Sequence, residues 1–242
     1  MQSGIATTSD EQWIPYEGGQ DVLPLCKNQI HLWRVSLDIP ADKLRTLEAT
    51  LSPDECKRAD RFRFPGHRTR FVAARGILRN VLGIHLGRAP ECLGFDYSEY
   101  GKPFLAEPAG SGVEFNVSHS SDLAIYAVAA GCPVGVDVEF IKPDGSWLRI
   151  AEHYFTGEES ARLSQLPKEE MQREFFELWA GKEARLKALG VGLRYPLGDA
   201  GDDAQWSLIK LRPKDGYAAA LAFAFQETDP LIVKHDFVIS TA

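Results

Sequence analysis

Val134-Gly135-Val136-Asp137-Val138-Glu139-Phe140 is the stretch on which the reading of this chain turns. Successive side chains of a strand point to opposite faces, so Val134, Val136, Val138 and Phe140 make one apolar face. Gly135, Asp137 and Glu139 make the other. The β-branched content suits a half-buried strand. Two carboxylates two residues apart on one face repel each other, and excluding water strengthens the repulsion. A hard divalent cation relieves it, because Mg²⁺ takes oxygen ligands and is commonly held by one or two carboxylates plus substrate phosphates. Gly135 is read as room for a ligand to approach the backbone. Taken alone, the stretch also reads as an edge strand with a solvated acidic face.

Immediately upstream, Val113 to Ser118 and Asp122 to Ala129 read as strands, and with residues 133–140 they predict an antiparallel meander. In the first of these, Asn116 and Ser118 point away from Phe115 and Val117, and Ser118-His119-Ser120 is placed in the following turn. Gly94 to Tyr97 and Gly101 to Leu105 predict a short hairpin or two edge strands. His67 to Leu86 predicts a helix, with Phe71, Ala74, Leu78, Val81 and Leu82 at helical spacing and Arg68, Arg75 and Arg79 in a stripe beside them. Arg75 is bordered by apolar neighbours, so it either finds an anion or snorkels into water. Ser52-Pro53-Asp54-Glu55 has the form of a helix start, with Phe64-Pro65-Gly66 as its stop. Ile30 to Leu37 alternates as a strand.

Downstream, two short helices (Trp147 to Phe155, Gly157 to Leu166) lead to a long one from Lys168 to Leu189, stopped by Gly190. Phe175, Leu178, Trp179, Leu186 and Leu189 are its expected core stripe, and Gly181 in its middle needs a reason. Ala204 to Leu211, Tyr217 to Phe225 and Leu231 to Ile239 read as three strands. The fold class is therefore α+β, with a strand, helix and meander arrangement occurring twice. The division is expected at residue 140: residues 1–140 carry the basic helix and acidic strand, residues 141–242 the long helix.

The chain has 44% hydrophobic and 25% charged residues, as a soluble globular protein does. No apolar run approaches the ~20 residues of a membrane span, and the polar start is neither a secretory signal nor a tightly ordered segment. The four cysteines form no CxxC pair, which predicts reduced thiols and a cytoplasmic location. The net charge of −7 argues against general nucleic-acid binding. That total conceals a basic island: Lys57 to Arg79 holds eight basic residues and one acid, a net +7 against −14 for the remainder. Such an island suggests a local anion site.

Three stretches together resemble the Sfp-type 4′-phosphopantetheinyl transferases: Phe115-Asn116-Val117-Ser118-His119-Ser120, Gly135-Val136-Asp137-Val138-Glu139, and Trp179-Ala180-Gly181-Lys182-Glu183-Ala184-Arg185-Leu186-Lys187. The Gly101-Lys102-Pro103 segment also fits. The resemblance spans roughly Arg58 to Leu193. It implies two similar α+β halves, pseudo-twofold related, each an antiparallel sheet with packed helices, with coenzyme A in the cleft between them. It implies transfer of phosphopantetheine from coenzyme A to a serine of an apo acyl or peptidyl carrier protein, with release of 3′,5′-ADP. Asp137, Glu139 and Glu183 match the family's acids for Mg²⁺ (Mn²⁺ as a substitute), and Glu183 also matches the proposed general base. Lys187 matches a lysine near the α-phosphate, and Ser118 and His119 match phosphate contacts, with His119 counted among the catalytic residues. Lys102, Arg63, Arg68 and Arg75 are expected on the coenzyme A phosphates. An internally supplied cleft makes a monomer the expectation. Arg185, Leu186, Leu189, Val191, Leu193 and Arg194 are the expected docking surface for the carrier protein. A Mg²⁺-dependent nucleotide pyrophosphohydrolase and a non-enzymatic coenzyme A-binding regulator are the competing readings.

Overall fold

The structure, a computed structural model, describes residues 12–18, 22–106, 112–142, 147–191, 206–224 and 229–239. The described elements run β1 (Ile14–Tyr16), β2 (Gln29–Ser36), α1 (Ala41–Glu48), α2 (Pro53–Ala59), α3 (Pro65–Leu86), β3 (Phe95–Tyr97), β4 (Pro103–Leu105), β5 (Val113–Ser120), β6 (Leu123–Ala130) and β7 (Val134–Phe140). Then come α4 (Trp147–Tyr154), α5 (Gly157–Ser164), α6 (Lys168–Leu189), β8 (Ser207–Leu211), β9 (Tyr217–Phe223) and β10 (Leu231–Phe237). The class is α+β, as expected.

The strands form a five-stranded sheet ordered β1-β10-β2-β6-β5, a three-stranded sheet ordered β7-β9-β8, and the β3-β4 hairpin. The two larger sheets pack face to face. Ile30, Leu32, Ile125 and Ala127 from one meet Val134, Val136, Val138, Leu221 and Phe223 from the other in one buried cluster. The opposite face of the large sheet, with Trp33, Val35 and Tyr126, carries α3 through Ala73, Ile77, Leu78, Val81 and Leu82. The opposite face of the small sheet carries α6, where Ala180, Ala184 and Ala188 lie against Ala220 and Ala222. The order of layers is helix, sheet, sheet, helix, and each fully buried Leu, Ile or Val contributes roughly 1.5–3 kcal/mol to holding it.

Several expectations need correction. β5 and β6 pair, but β7 does not continue the meander: its ladder partner is β9 in the other sheet. β10 does not follow β8 and β9. It pairs in parallel with β2 and with β1, a strand the sequence reading missed, so the large sheet is mixed rather than antiparallel. Strand pairing therefore crosses the division expected at residue 140. The reason is register-blind sequence: alternation shows which face a residue takes, not which strand lies beside it. β5 runs through Ser120, so His119 and Ser120 are strand residues, and the turn is Ser121-Asp122 with Ser121 at φ +53°. α2 ends at Ala59. Pro65 opens α3 instead of closing α2, since a first-turn proline sacrifices no helical hydrogen bond.

The long helix has the expected bounds, with Gly190 closing it at φ 73°. Its stripe differs. Phe175 and Leu186 are buried, but Leu189 is exposed, and the face against the sheet is small: Ala180, Gly181, Ala184 and Ala188. Small residues let a helix backbone lie close to a sheet. At Gly181 an added Cβ would stand 3.0 Å from the end of the Leu208 side chain on β8, a tight approach that this leucine would have to yield to. Gly135 is the tighter case, because a Cβ there would lie 2.0 Å from the Ala184 carbonyl oxygen. What approaches the Gly135 backbone is α6, not a ligand.

Candidate active site

β5 and β7 are edge strands of different sheets, and their edges run side by side. An edge leaves backbone N–H groups unpaired. Here the side chains of one β5 face meet that edge. Asn116 Oδ1 accepts from the Val136 N–H at 3.1 Å. Ser118 Oγ donates to Asp137 Oδ1 at 2.8 Å. Ser120 Oγ donates to Glu139 Oε2 at 3.0 Å and accepts from the Phe140 N–H at 3.1 Å. Side chains at i, i+2 and i+4 share a strand face, so the alternation in Asn116-Val117-Ser118-His119-Ser120 is what delivers three polar groups to one seam. The seam orients both acids of β7.

α6 closes the site from the second sheet. Lys187 Nζ donates to Asp137 Oδ1 at 2.6 Å and to Ser118 Oγ at 2.8 Å. Asp137 is 3% exposed, and its Oδ2 is buried with no hydrogen-bond partner. Glu183, one turn before Lys187, has its pKa pushed up to about 7 by burial, with Asp137 next in weight and Glu139 adding to it against the pull of Lys187. Glu139 is raised as well, by burial and then by Asp137, against hydrogen bonds from Ser120 and Trp179 and the charge of Lys187. Three mutually repelling carboxylates with hard oxygen donors and one orphaned oxygen suit a divalent cation in their chemistry. Among the described residues, however, no three His, Cys, Asp or Glu side chains stand close enough to form a ready ligand set for one ion.

Two cavities share the Lys187 side of this cluster. One, of about 330 Å³, is lined by Arg58, Phe71, Arg75, Tyr97, His119 and Lys187 among others. The second, of about 290 Å³, has Tyr100, Lys102, Glu183, Leu186, Lys187 and Val191 in its wall. Gly101, Pro103, Val117 and Lys187 belong to both, so they form one trough with a cationic end and a more apolar end. His119 opens to solvent in the cationic part. Partial burial holds its pKa below the ordinary histidine value, with Lys187 and then Arg70 adding to the effect.

The expected anion-binding residues divide. Arg75 lines the trough, and Lys102 does too, with its Nζ donating to the Ala188 carbonyl at 3.2 Å. Burial lowers the Lys102 pKa. Arg68 is engaged elsewhere, by Glu48 at 2.5 Å and Asp60 at 3.2 Å. Arg63 is exposed and rests over Phe64, away from the trough. Arg79, 1% exposed, is bound by Glu55 and the Pro90 and Leu93 carbonyls. Arg58 and Tyr97 were not singled out from the sequence, and neither were the stitching groups Asn116 and Ser120. For the last two, the strand alternation with Ser118 was the available signal. Of the expected docking residues, Leu186 is buried and Leu189 is exposed, while Leu193 and Arg194 lie outside the described residues.

Comparison with known proteins agrees with this arrangement along the chain. A family profile described as "4′-phosphopantetheinyl transferase superfamily" matches residues 133–240. One described as "4′-phosphopantetheinyl transferase, N-terminal" matches residues 39–132. The chain is 42% identical over 224 residues to the 4′-phosphopantetheinyl transferase HetI of Nostoc sp., covering 88% of this chain and 93% of that protein. A putative 4′-phosphopantetheinyl transferase of Synechocystis sp. is 30% identical over 188 residues, 78% of this chain and 76% of its own length. The transferase Sfp of Bacillus subtilis is 31% identical over 147 residues, 61% of this chain and 63% of its own length. With its acids, its lysine and its stitched strands on the motifs that carried the resemblance, the chain belongs to the 4′-phosphopantetheinyl transferase family of enzymes.

Proposed function

We propose that this enzyme transfers the 4′-phosphopantetheine group of coenzyme A to a serine hydroxyl of an apo acyl or peptidyl carrier protein and releases 3′,5′-ADP. The observation that carries the reading is the shared wall of the trough, where Lys187 stands between a cationic end and an apolar end with Glu183 beside it. Coenzyme A has the matching form: a polyanionic nucleotide, a pyrophosphate and a long neutral arm. In this reading Arg58, Arg75 and His119 face the nucleotide phosphates, and Lys187 with Ser118 faces the pyrophosphate. Tyr100, Lys102, Pro103 and Val117 flank the arm.

Glu183 is the general base. Glu183 stands in the trough wall beside Lys187, where a carboxylate can accept the proton of an incoming hydroxyl. As the serine proton passes to Glu183, the serine oxygen bonds to the phosphorus on the pantetheine side. The bond from that phosphorus to the bridging oxygen breaks, and its electron pair leaves with 3′,5′-ADP. Lys187 offsets the negative charge that gathers on the phosphoryl oxygens. Asp137, Glu139 and Glu183 would hold Mg²⁺, or Mn²⁺ in its place, together with substrate phosphate oxygens, and the ion would supply further charge stabilisation. The orphaned Asp137 Oδ2 supports that assignment.

The enzyme is read as a cytoplasmic monomer whose partner is the carrier protein rather than nucleic acid or membrane. No described helix is long and apolar enough to cross a membrane. Incubating the protein with coenzyme A, Mg²⁺ and an apo carrier protein tests the function. A carrier mass increased by one phosphopantetheine group is expected. Phosphopantetheine released to water with the carrier unmodified would instead mark a pyrophosphohydrolase, and bound but intact coenzyme A a non-enzymatic regulator.

A further inference from the structure

Arg75 is 9% exposed, and its nitrogens differ in what they meet. Nε faces Glu55 Oε1 at 3.3 Å. Nη2 donates to Tyr97 Oη at 2.8 Å. Nη1 is buried and has no hydrogen-bond partner. Buried guanidinium donors are normally satisfied, and this side chain lines the cationic end of the trough, so the missing acceptor points to a ligand.

Glu55 is itself immobilised. Its Oε2 accepts from the Ser52 N–H at 2.9 Å and from Arg79 Nε at 2.7 Å. The first contact belongs to the capping box that starts α2. The second comes from an arginine bound in turn to two backbone carbonyls. Glu55 therefore cannot follow Arg75 if the guanidinium turns. Tyr97 reaches Arg75 from the β3-β4 hairpin, with its ring centroid 5.8 Å from the Arg75 Cζ and that of Phe95 at 5.2 Å. Glu55 engages Nε, Tyr97 engages Nη2, and Nη1 is left without an acceptor. An unpartnered guanidinium nitrogen is a charge-assisted donor of the kind a phosphate oxygen accepts.

We propose that Glu55 and Tyr97 are positioning residues that hold Arg75 with Nη1 available to a phosphate monoester, and that Tyr97 thereby sets the preference for a ligand carrying that monoester over the same ligand without it. The proposal rests on the coenzyme A reading of the trough, whose 3′-phosphate is the monoester. Tyr97 is 45% exposed, so losing its hydroxyl leaves the core intact, whereas removing Glu55 would uncap α2 and strand two buried arginines.

Tyr97→Phe keeps the ring over Arg75 and removes only the acceptor. Binding of coenzyme A and of dephospho-coenzyme A, by calorimetry, gives a discrimination ratio for wild type and variant. The ratio is expected to fall roughly three- to tenfold in Tyr97→Phe. The loss in turnover should fall on the KM for coenzyme A and not on kcat. In an Arg75→Lys background the same Tyr97→Phe change should have no further effect on the ratio, because its route is gone. Equal losses for both ligands, or a second loss in the Arg75→Lys background, would overturn the positioning role. If wild-type protein binds coenzyme A no better than dephospho-coenzyme A, the 3′-phosphate assignment falls with it. A wild-type preference that survives Tyr97→Phe sinks the positioning role alone.

Discussion

Lys187 and Asp137 lie fifty positions apart in the chain, yet Nζ of one is 2.6 Å from Oδ1 of the other, with Ser118 Oγ within 2.8 Å of both. The contact joins α6, β7 and β5 at one point. It also splits the Asp137 carboxylate: one oxygen is saturated by two donors, and the other is buried and unpartnered. A carboxylate so divided keeps its orientation while one oxygen stays without a partner.

Asp137→Asn and Glu183→Gln should each lower kcat/KM by a factor of about 10²–10⁴ without unfolding the protein, since each removes a charge and keeps the shape. Carrier-protein mass gain against time, with thermal melting as the control, measures both. Near wild-type turnover of either variant at saturating Mg²⁺ would contradict its place in the cation site.

Gly135→Ala should be among the most damaging single-methyl changes in the chain. Its Cβ would stand 2.0 Å from the Ala184 oxygen and 2.3 Å from the Ala188 nitrogen, both backbone atoms that no rotamer change can move. Either α6 lifts from β7 or the pair fails to assemble, at a cost of about 1–3 kcal/mol or more. The same lifting would part Lys187 from Asp137. A midpoint in urea unchanged from wild type would contradict the close approach.

Ser120→Ala removes the donor to Glu139 and the acceptor for the Phe140 N–H together. We expect a loss of about 1–2 kcal/mol in stability. A several-fold rise in the Mg²⁺ concentration needed for half-maximal rate should accompany it, because Glu139 loses its orientation. An unaltered Mg²⁺ requirement would reduce the seam to a structural role.

A buried histidine cluster predicts the acid limit of stability. His31 Nδ1 and His235 Nε2 are 2.9 Å apart, and His85 Nε2 accepts from Trp33 Nε1 at 3.0 Å. His85 therefore carries its proton on Nδ1, which donates to the Leu23 carbonyl at 2.7 Å. Burial first, and then the neighbouring imidazoles, lowers His85 and His235 to about 4 from 6.5. Between those values the unfolded chain binds protons that the folded one refuses. Stability is thus complete above pH 6.5 and falls as pH drops toward 4, by on the order of 2–3 kcal/mol per ring. Urea midpoints across pH 7 to 4 measure it. Replacing His85 by Gln should flatten the slope, and an unchanged slope would place the acid sensitivity elsewhere.

Charge reversal at Arg185 and Arg194 should raise the KM for carrier protein and leave coenzyme A affinity as it was. These residues flank the exposed Leu189 and the end of α6 in sequence, and carrier helices of acidic character need a basic, partly apolar patch on a protein whose net charge is −7. Added salt should narrow the gap between variant and wild type. An unchanged carrier KM would move the docking surface away from this segment.

Local terms were legible in the chain alone. The alternation in residues 134–140 put the two acids on one face, opposite the valines. The Ser52–Glu55 capping box, the span of α6 and its Gly190 stop were also local, because they depend on neighbours within a turn or two. The motif acids and Lys187 were expected in one site through the family resemblance, and the structure brings Lys187 onto Asp137. Adjacency came from packing. That β7 joins β9, and that β10 returns to β2, follows from pairing between strands far apart in the chain, which no periodicity encodes. The same holds for the arginines. Arg63, Arg68, Arg75 and Arg79 look alike in one basic run. Two are spent on Glu48, Asp60 and Glu55, one is solvated, and only Arg75 keeps a buried donor beside the trough, because where Glu48, Glu55 and Tyr97 arrive is set by packing and not by sequence distance.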